Sequence, residues 1–190
     1  MIIDAHVHLY LGEQALDDLI GACDAAGIDK VCLSACGVAF DEPENDGVAA
    51  AFRRYPDRVL GFGWVRLGEE GPDAVDRIAD HGFAGIKVIN PRLPYDHDAL
   101  MPVYERAEAR GLPILFHCGV VARTAMDKEM DVASERMRPV LLDRIARRFP
   151  GLKLIGAHLG APWLDEACAV LHTNPNVWFD CTGVIRRLVA

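Results

Sequence analysis

The stretch "IDAHVHL", residues 3–9, decides the fold. Asp4, His6 and His8 alternate with Ile3, Ala5, Val7 and Leu9. Strict alternation is the pattern of a β-strand, whose successive side chains point to opposite faces. The apolar set, Ile3, Ala5 and Val7, is expected to pack under helices. The other face carries two imidazoles and a carboxylate, which are costly to bury unless they are partnered. Where that face looks depends on the rest of the chain.

Outward from this strand the chain alternates. "EQALDDLIGACDAAGI" has helical spacing and a stop at Gly27, and "KVCLSAC" reads as a strand. The same pairing continues through the helices "VAAAFRRYP", "DAVDRIADHG", "DALMPVYERAEARG", "RPVLLDRIARRFPG" and "PWLDEACAVLHTN". Between them lie the strands "RVLGFGWVRL", "FAGIKVI", "LPILFHC", "LKLIGAH" and "NVWFDCT". "GVIRRLVA", residues 183–190, reads as the opening of a further helix. Seven strands in strict alternation with about seven helices predict parallel βαβ units, and near-continuous apolar strands fit a sheet buried on both faces. A nucleotide-binding open sheet would carry a glycine-rich turn after its first strand. "HLYLGEQ" is not one. The expected fold is therefore α/β, of the (β/α)8 TIM-barrel type, in a single domain over residues 1–190.

Composition narrows the function. A net charge of −8 disfavours nucleic acid and anionic membranes as partners. No apolar run reaches the length of a membrane span, and no basic segment followed by an apolar one opens the chain as a signal peptide would. The six cysteines form no C-x-x-C pair. A domain of this size needs no disulfide framework, so a reduced, cytoplasmic protein is expected.

In a barrel the Asp4/His6/His8 face points inward. Histidines two apart on a strand present two nitrogens on one side, which suits a divalent metal ion. Two more histidines close strands in the same way: His117 in "LFHCG" on the fifth and His158 in "GAHLG" on the sixth. Active sites of such barrels lie at the carboxyl ends of the strands, so four histidines are expected on one rim. His81, His97 and His172 fall in helices or turns and are expected at the surface. Cys118 points away from the His117 face, which argues against a nucleophilic role. Arg66 and Arg92, after the third and fourth strands, are read either as contacts for a substrate carboxylate or as solvated charges. The long connection from Gly119 to Met137 is a candidate cover for the site.

"DAHVHL", "GIKV", "LFHCG" and "GAHLG", in this order and spacing, resemble the amidohydrolase-2 group of the amidohydrolase superfamily, with softer likeness in "AAGIDKVCLSA" and "RRYPDRVLGFGWV". The resemblance implies a metal-dependent hydrolase on a (β/α)8 barrel. The substrate would be a small cyclic ester, amide or carboxylate. A decarboxylase on the same scaffold and a non-catalytic remnant are the alternatives. By the same resemblance, His6, His8 and His117 are metal ligands, His158 is catalytic, and the cofactor is a divalent ion, zinc first, manganese or iron next. Lys87 corresponds to a lysine that is carboxylated and bridges two metals in some branches. Here it is expected to be an ordinary hydrogen-bonded lysine. The group also places a metal-ligating aspartate on an eighth strand. Such barrels take about 250 residues, so these 190 residues are expected to form an incomplete, C-terminally truncated barrel. Asp180 is the candidate substitute ligand. Homo-oligomers are an expected consequence of open strand edges.

Overall fold

The strands pair in the order in which the chain makes them. The computed structural model describes residues 1–10, 12, 14–37 and 44–184. Its strands are β1 (Ile3–Val7), β2 (Lys30–Ser34), β3 (Val59–Trp64), β4 (Gly85–Val88), β5 (Ile114–Phe116), β6 (Leu154–Gly156) and β7 (Val177–Phe179). The α-helices among the described residues are α1 (Ala15–Ala26), α2 (Asn45–Arg54), α3 (Pro72–Asp80), α4 (Met101–Arg110), α5 (Leu141–Arg148) and α6 (Leu164–Thr173). The helix expected from residue 183 lies almost wholly outside them. All neighbouring strands are parallel, in the order β1-β2-β3-β4-β5-β6-β7. A doubly wound sheet reverses its strand order part-way. Here every right-handed crossover falls on one side of the sheet, so the other side must curl onto itself. The result is an incomplete barrel of seven strands.

Strand alternation sorts the side chains into two cores. Val31, Leu33, Val59, Ile86, Val88, Ile114, Phe116, Leu154 and Val177 face the helices and join one large cluster. Cys32, Leu60, Phe62, Leu115, Ile155 and Ala157 face inward and plug the barrel. The plug comes from β2, β3, β5, β6 and the residue just after β6. Lys87, His117 and His6 come next at the carboxyl side, all buried. An apolar floor below a polar mouth is what positions the site.

The outer face of β1 departs from expectation. Ile3 is 44% exposed and Ala5 is exposed too, whereas Val7 and Leu9 pack partly against the main cluster. β1 ends the sheet, so it has a crossover helix on one side only, and α1 reaches just its later residues. At the other end Trp178 of β7 is 48% exposed. Unpaired strand edges with apolar side chains template pairing with another chain. The 190-residue chain should therefore show concentration-dependent oligomers in sedimentation velocity, and the Ile3→Lys, Trp178→Lys double variant should shift them to monomer. A wild type that is monomeric at every concentration would show that these edges protect themselves.

Among the described residues no helix is long and apolar enough to cross a membrane. All six cysteines are free thiols.

Candidate metal centre

His6 is held by the far end of the chain. Its Nδ1 lies 2.8 Å from Oδ2 of Asp180, one residue beyond β7. A carboxylate only accepts, so Nδ1 carries the proton and Nε2 the lone pair. That lone pair faces Nζ of Lys87 at 3.2 Å and Nε2 of His8 at 2.8 Å. His8 Nε2 is then the donor, and its Nδ1 accepts from the Cys36 thiol at 3.8 Å. His158 donates Nδ1–H to the Thr182 carbonyl at 2.8 Å, leaving Nε2 as acceptor. His117 Nε2 is buried with no hydrogen-bond partner at all. The His6 ring centroid is 4.8 Å from that of His8 and 5.1 Å from that of His158, and His158 is 4.8 Å from His117. The structure thus brings all four sequence-predicted histidines together. His81, His97 and His172 are exposed.

Two glycines set the close approach of β5 and β6 at this rim. Gly119 (φ 117°) packs its backbone on the Ala161 carbonyl, and Gly160 (φ 64°) packs on Pro139. A side chain at either would collide with its neighbour and would also sit in a backbone region that favours glycine. His158 itself has φ 59°. Its N–H donates to Asp180 Oδ1 at 2.9 Å, and the Thr182 N–H donates to the same oxygen at 3.0 Å. Asp180 therefore ties β1, the turn after β6 and its own segment to one carboxylate.

Burial favours the neutral form of His6, His117 and His158. His6 is pushed down to about 3, by desolvation first and then by the Lys87 charge. Desolvation, again followed by Lys87, holds His117 well below the usual imidazole range, and desolvation also lowers His158. Against its own burial, the His6 hydrogen bond and charge and the backbone donors hold Asp180 down to about 2. His6, His117 and His158 as neutral imidazoles with Asp180 as an ionised carboxylate are the donor chemistry a divalent ion requires. The unpartnered His117 Nε2 is what such an ion would engage. Nitrogens sharing a tetrahedral zinc lie roughly 3.3 Å apart, so the 2.8 Å between His6 and His8 needs only a small opening. Among the described residues, the group whose ligand atoms all lie within 4.8 Å of one another is His6, His158 and Asp180, a donor set that differs from the His6, His8 and His117 expected from the sequence.

The remaining candidates sort themselves by contact. Asp4 accepts from the His6 backbone N–H at 3.2 Å. Asp180 takes the ring nitrogen, a role that sequence reading considered only as a replacement ligand. The signal was there: Asp180 shares the inward face of β7 with Trp178, two residues earlier. Lys87, fully buried, is hydrogen-bonded to His6. The Cys118 thiol is 0% exposed and pushed up to about 12 by burial, which makes it inert as a nucleophile. Arg66 and Arg92 are both opposed by carboxylates. Arg66 lies 3.5 Å from Glu70 and 3.7 Å from Glu69, and Arg92 Nε donates to Glu69.

Buried polar atoms without partners concentrate at this end of the barrel. Ser34 Oγ, Trp64 Nε1, both amide atoms of Asn90 and His117 Nε2 all belong to the last residue of a strand or the segment just after it. In native proteins such atoms are few and call for a ligand, water or ion.

A model of the amidohydrolase family matches residues 3–189. The chain belongs to the amidohydrolase family. Solved structures with the same barrel include an uncharacterized TIM-barrel protein from Bordetella bronchiseptica. It shares 19% identity at TM-score 0.76, over 95% of this chain and 74% of that one. The probable 2-pyrone-4,6-dicarboxylic acid hydrolase of Acinetobacter baumannii shares 15% at TM-score 0.67, over 97% of this chain and 71% of that one. A dihydroxybenzoic acid decarboxylase from Polaromonas, with bound manganese, shares 18% at TM-score 0.58, over 84% and 65%. No curated protein matches the sequence. At these identities the amidohydrolase likeness carries the fold, and the chain spans about two thirds to three quarters of these three structures.

Proposed function

We propose that this chain is a metal-dependent hydrolase that holds one divalent ion through His6, His8 and His117 and acts on a small cyclic ester, amide or carboxylate. The observation that carries the reading is the buried, partnerless His117 Nε2 in a cluster with the rings of His158, His6 and His8. An ion bound there supplies Lewis acidity, which polarises a carbonyl and acidifies water towards neutral pH. Zinc is the first choice and manganese or iron the next. The manganese of the Polaromonas decarboxylase supports a divalent ion on this scaffold.

The residues divide the remaining work. Asp180 fixes His6 with Nε2 towards the ion, and its own oxygens are already taken by His6 Nδ1 and two backbone N–H groups, so it orients rather than ligates. His158, fixed through Nδ1, keeps Nε2 free to take a proton from water or return it to a leaving group, and its burial keeps it neutral at working pH. The apolar floor of Phe62, Leu115 and Ile155 excludes water from below. Six free thiols support a reducing, cytoplasmic setting.

His158→Ala should keep most of the bound metal and lose turnover on a panel of small lactones, esters and amides by about a hundredfold or more. Simultaneous loss of metal would make His158 a ligand, in the alternative set with Asp180. A decarboxylase reading is favoured by the Polaromonas neighbour. Carbon dioxide release without consumption of water would establish it.

A further inference from the structure

Three of the four clustered histidines are aimed by contacts to their rings. Asp180 holds Nδ1 of His6, the Cys36 thiol lies against Nδ1 of His8, and the Thr182 carbonyl takes Nδ1–H of His158. His117 differs. Among the described residues no hydrogen bond reaches its ring. Its aim must come from its backbone.

That backbone lies where the sheet runs out. The β4–β5 ladder ends at the His117 N–H, which donates to the Val88 carbonyl at 2.9 Å. The β5–β6 ladder ends where the Ala157 N–H donates to the Phe116 carbonyl at 2.8 Å. The His117 carbonyl is beyond both, and two residues on the chain turns away at Gly119. The hydroxyl of Tyr95 takes this carbonyl, donating at 3.0 Å. The Val88 carbonyl, at 3.3 Å from the same hydroxyl, already has the His117 N–H.

Tyr95, in the segment between β4 and α4, is itself gripped on several sides. It is 0% exposed. Its N–H donates to the Arg136 carbonyl of the long connection at 3.1 Å, and its carbonyl accepts from the Tyr104 hydroxyl of α4 at 2.7 Å. Its ring meets Phe116 edge-on, with centroids 5.0 Å apart. Packing alone asks for no oxygen here, since phenylalanine would fill the same space. A buried hydroxyl is costly unless it is bonded, and its shorter bond goes to His117.

We propose that Tyr95 is the positioning residue of His117: its hydroxyl holds the His117 carbonyl and thereby fixes where Nε2 meets the ion. The proposal rests on the metal-dependent reading and adds to it a residue that touches neither ion nor substrate. Ligand sets lose function when the groups supporting them leave them about 1 Å too loose. Nε2 is the far atom of a ring hung from this backbone, so a small turn of the peptide displaces it by more.

Cobalt(II) is the probe, because its visible absorption reports the arrangement of its ligands. Tyr95→Phe removes one oxygen and should weaken cobalt binding about tenfold, the lower end of the loss for outer partners of ligating histidines. The absorption bands of the bound cobalt should change as well. Tyr104→Phe removes an equally buried hydroxyl one step further from the imidazole. It should lower the urea midpoint as Tyr95→Phe does, yet leave cobalt affinity and spectrum as in the parent. In the metal-free chain with isotope-labelled histidine, the His117 ring resonance is assigned by its loss in His117→Gln. That resonance should move in Tyr95→Phe and stay in Tyr104→Phe.

Unchanged cobalt affinity and spectrum in folded Tyr95→Phe, or equal changes in the two variants, overturns the proposal. A parent chain that binds no cobalt sinks the metal-dependent reading, and the His117 resonance then decides whether Tyr95 holds that ring. If Tyr95→Phe does not fold, the parent labelled at tyrosine carries the test. Zinc should then shift the ring resonance of Tyr95 and leave that of Tyr104 in place, and an unmoved Tyr95 resonance overturns the proposal.

Discussion

Purified in the presence of zinc, manganese or iron, the His6→Ala, His8→Ala double variant is expected to hold essentially no metal, against near-stoichiometric metal in the parent. Structural zinc sites bind with an apparent 10–16 kcal/mol, so each of three or four ligands carries about 3–4 kcal/mol, and losing one costs a hundred- to thousandfold in affinity. Losing two removes binding at any cellular concentration. Asp180→Asn makes the informative contrast. It keeps the shape of the carboxylate but loses the charge that holds His6 Nδ1–H, and should cost about 10- to 100-fold in affinity. Elemental analysis reads the double variant, and competition with a chromophoric chelator reads the single one. Equal metal in parent and double variant would mean that the imidazoles serve the fold alone.

The metal-free chain is also expected to be unusually sensitive to mild acid. His6, His117 and His158 all have folded pKa values below the ordinary 6.5, with His6 at about 3. An imidazole lowered in this way is neutral in the folded chain and takes its proton more readily when unfolded. Its contribution to stability is therefore complete above pH 6.5 and is lost as pH falls from there towards the folded value. One pH unit below 6.5 each such group has given up as much as about 1.4 kcal/mol, and three give up as much as about 4 kcal/mol. Against a typical domain stability of about 5–15 kcal/mol, that is a large share. Asp180 does not blur the window: its pKa is lowered to about 2, so its contribution persists until pH falls below the ordinary carboxylate range. Urea midpoints at pH 7.5 and pH 5.5 check this, with His117→Gln as the control expected to flatten the dependence by about a third. A midpoint that does not move over this interval would show that the imidazoles are not held neutral.

The inward face of β1 was readable because period two is a local property: Asp4, His6 and His8 sit on one side whatever the rest of the chain does. The positions of His117 and His158 were readable for a related reason, since each closes an apolar run and has a glycine two residues on. The exposure of Ile3 and Ala5 was not, because alternation tells which face is apolar and not whether a helix lies over it. The choice of Asp180 over Asp4 as the partner of the His6 ring is a contact across 174 positions, beyond any local pattern. The pairing of Arg66 with Glu69 and Glu70 was within reach, as charges three and four residues apart in "RLGEE".

The bond between His6 and Asp180 also sets a clock. Its two ends are separated by 174 residues, nearly the whole described chain. At about 5–20 residues per second, a ribosome makes the first partner roughly ten to thirty seconds before the second. Throughout that interval the polar face of β1 has no carboxylate to orient it, while β2 to β6 are free to pair in sequence. The bond is thus made after β1 to β6 have had time to pair, and its closure joins β1 to the segment after β7. A nascent chain that stalls before β7 would carry all four imidazoles on paired strands and yet lack the carboxylate that aims His6, so it should hold an ion about 10- to 100-fold more weakly than the chain that has made β7.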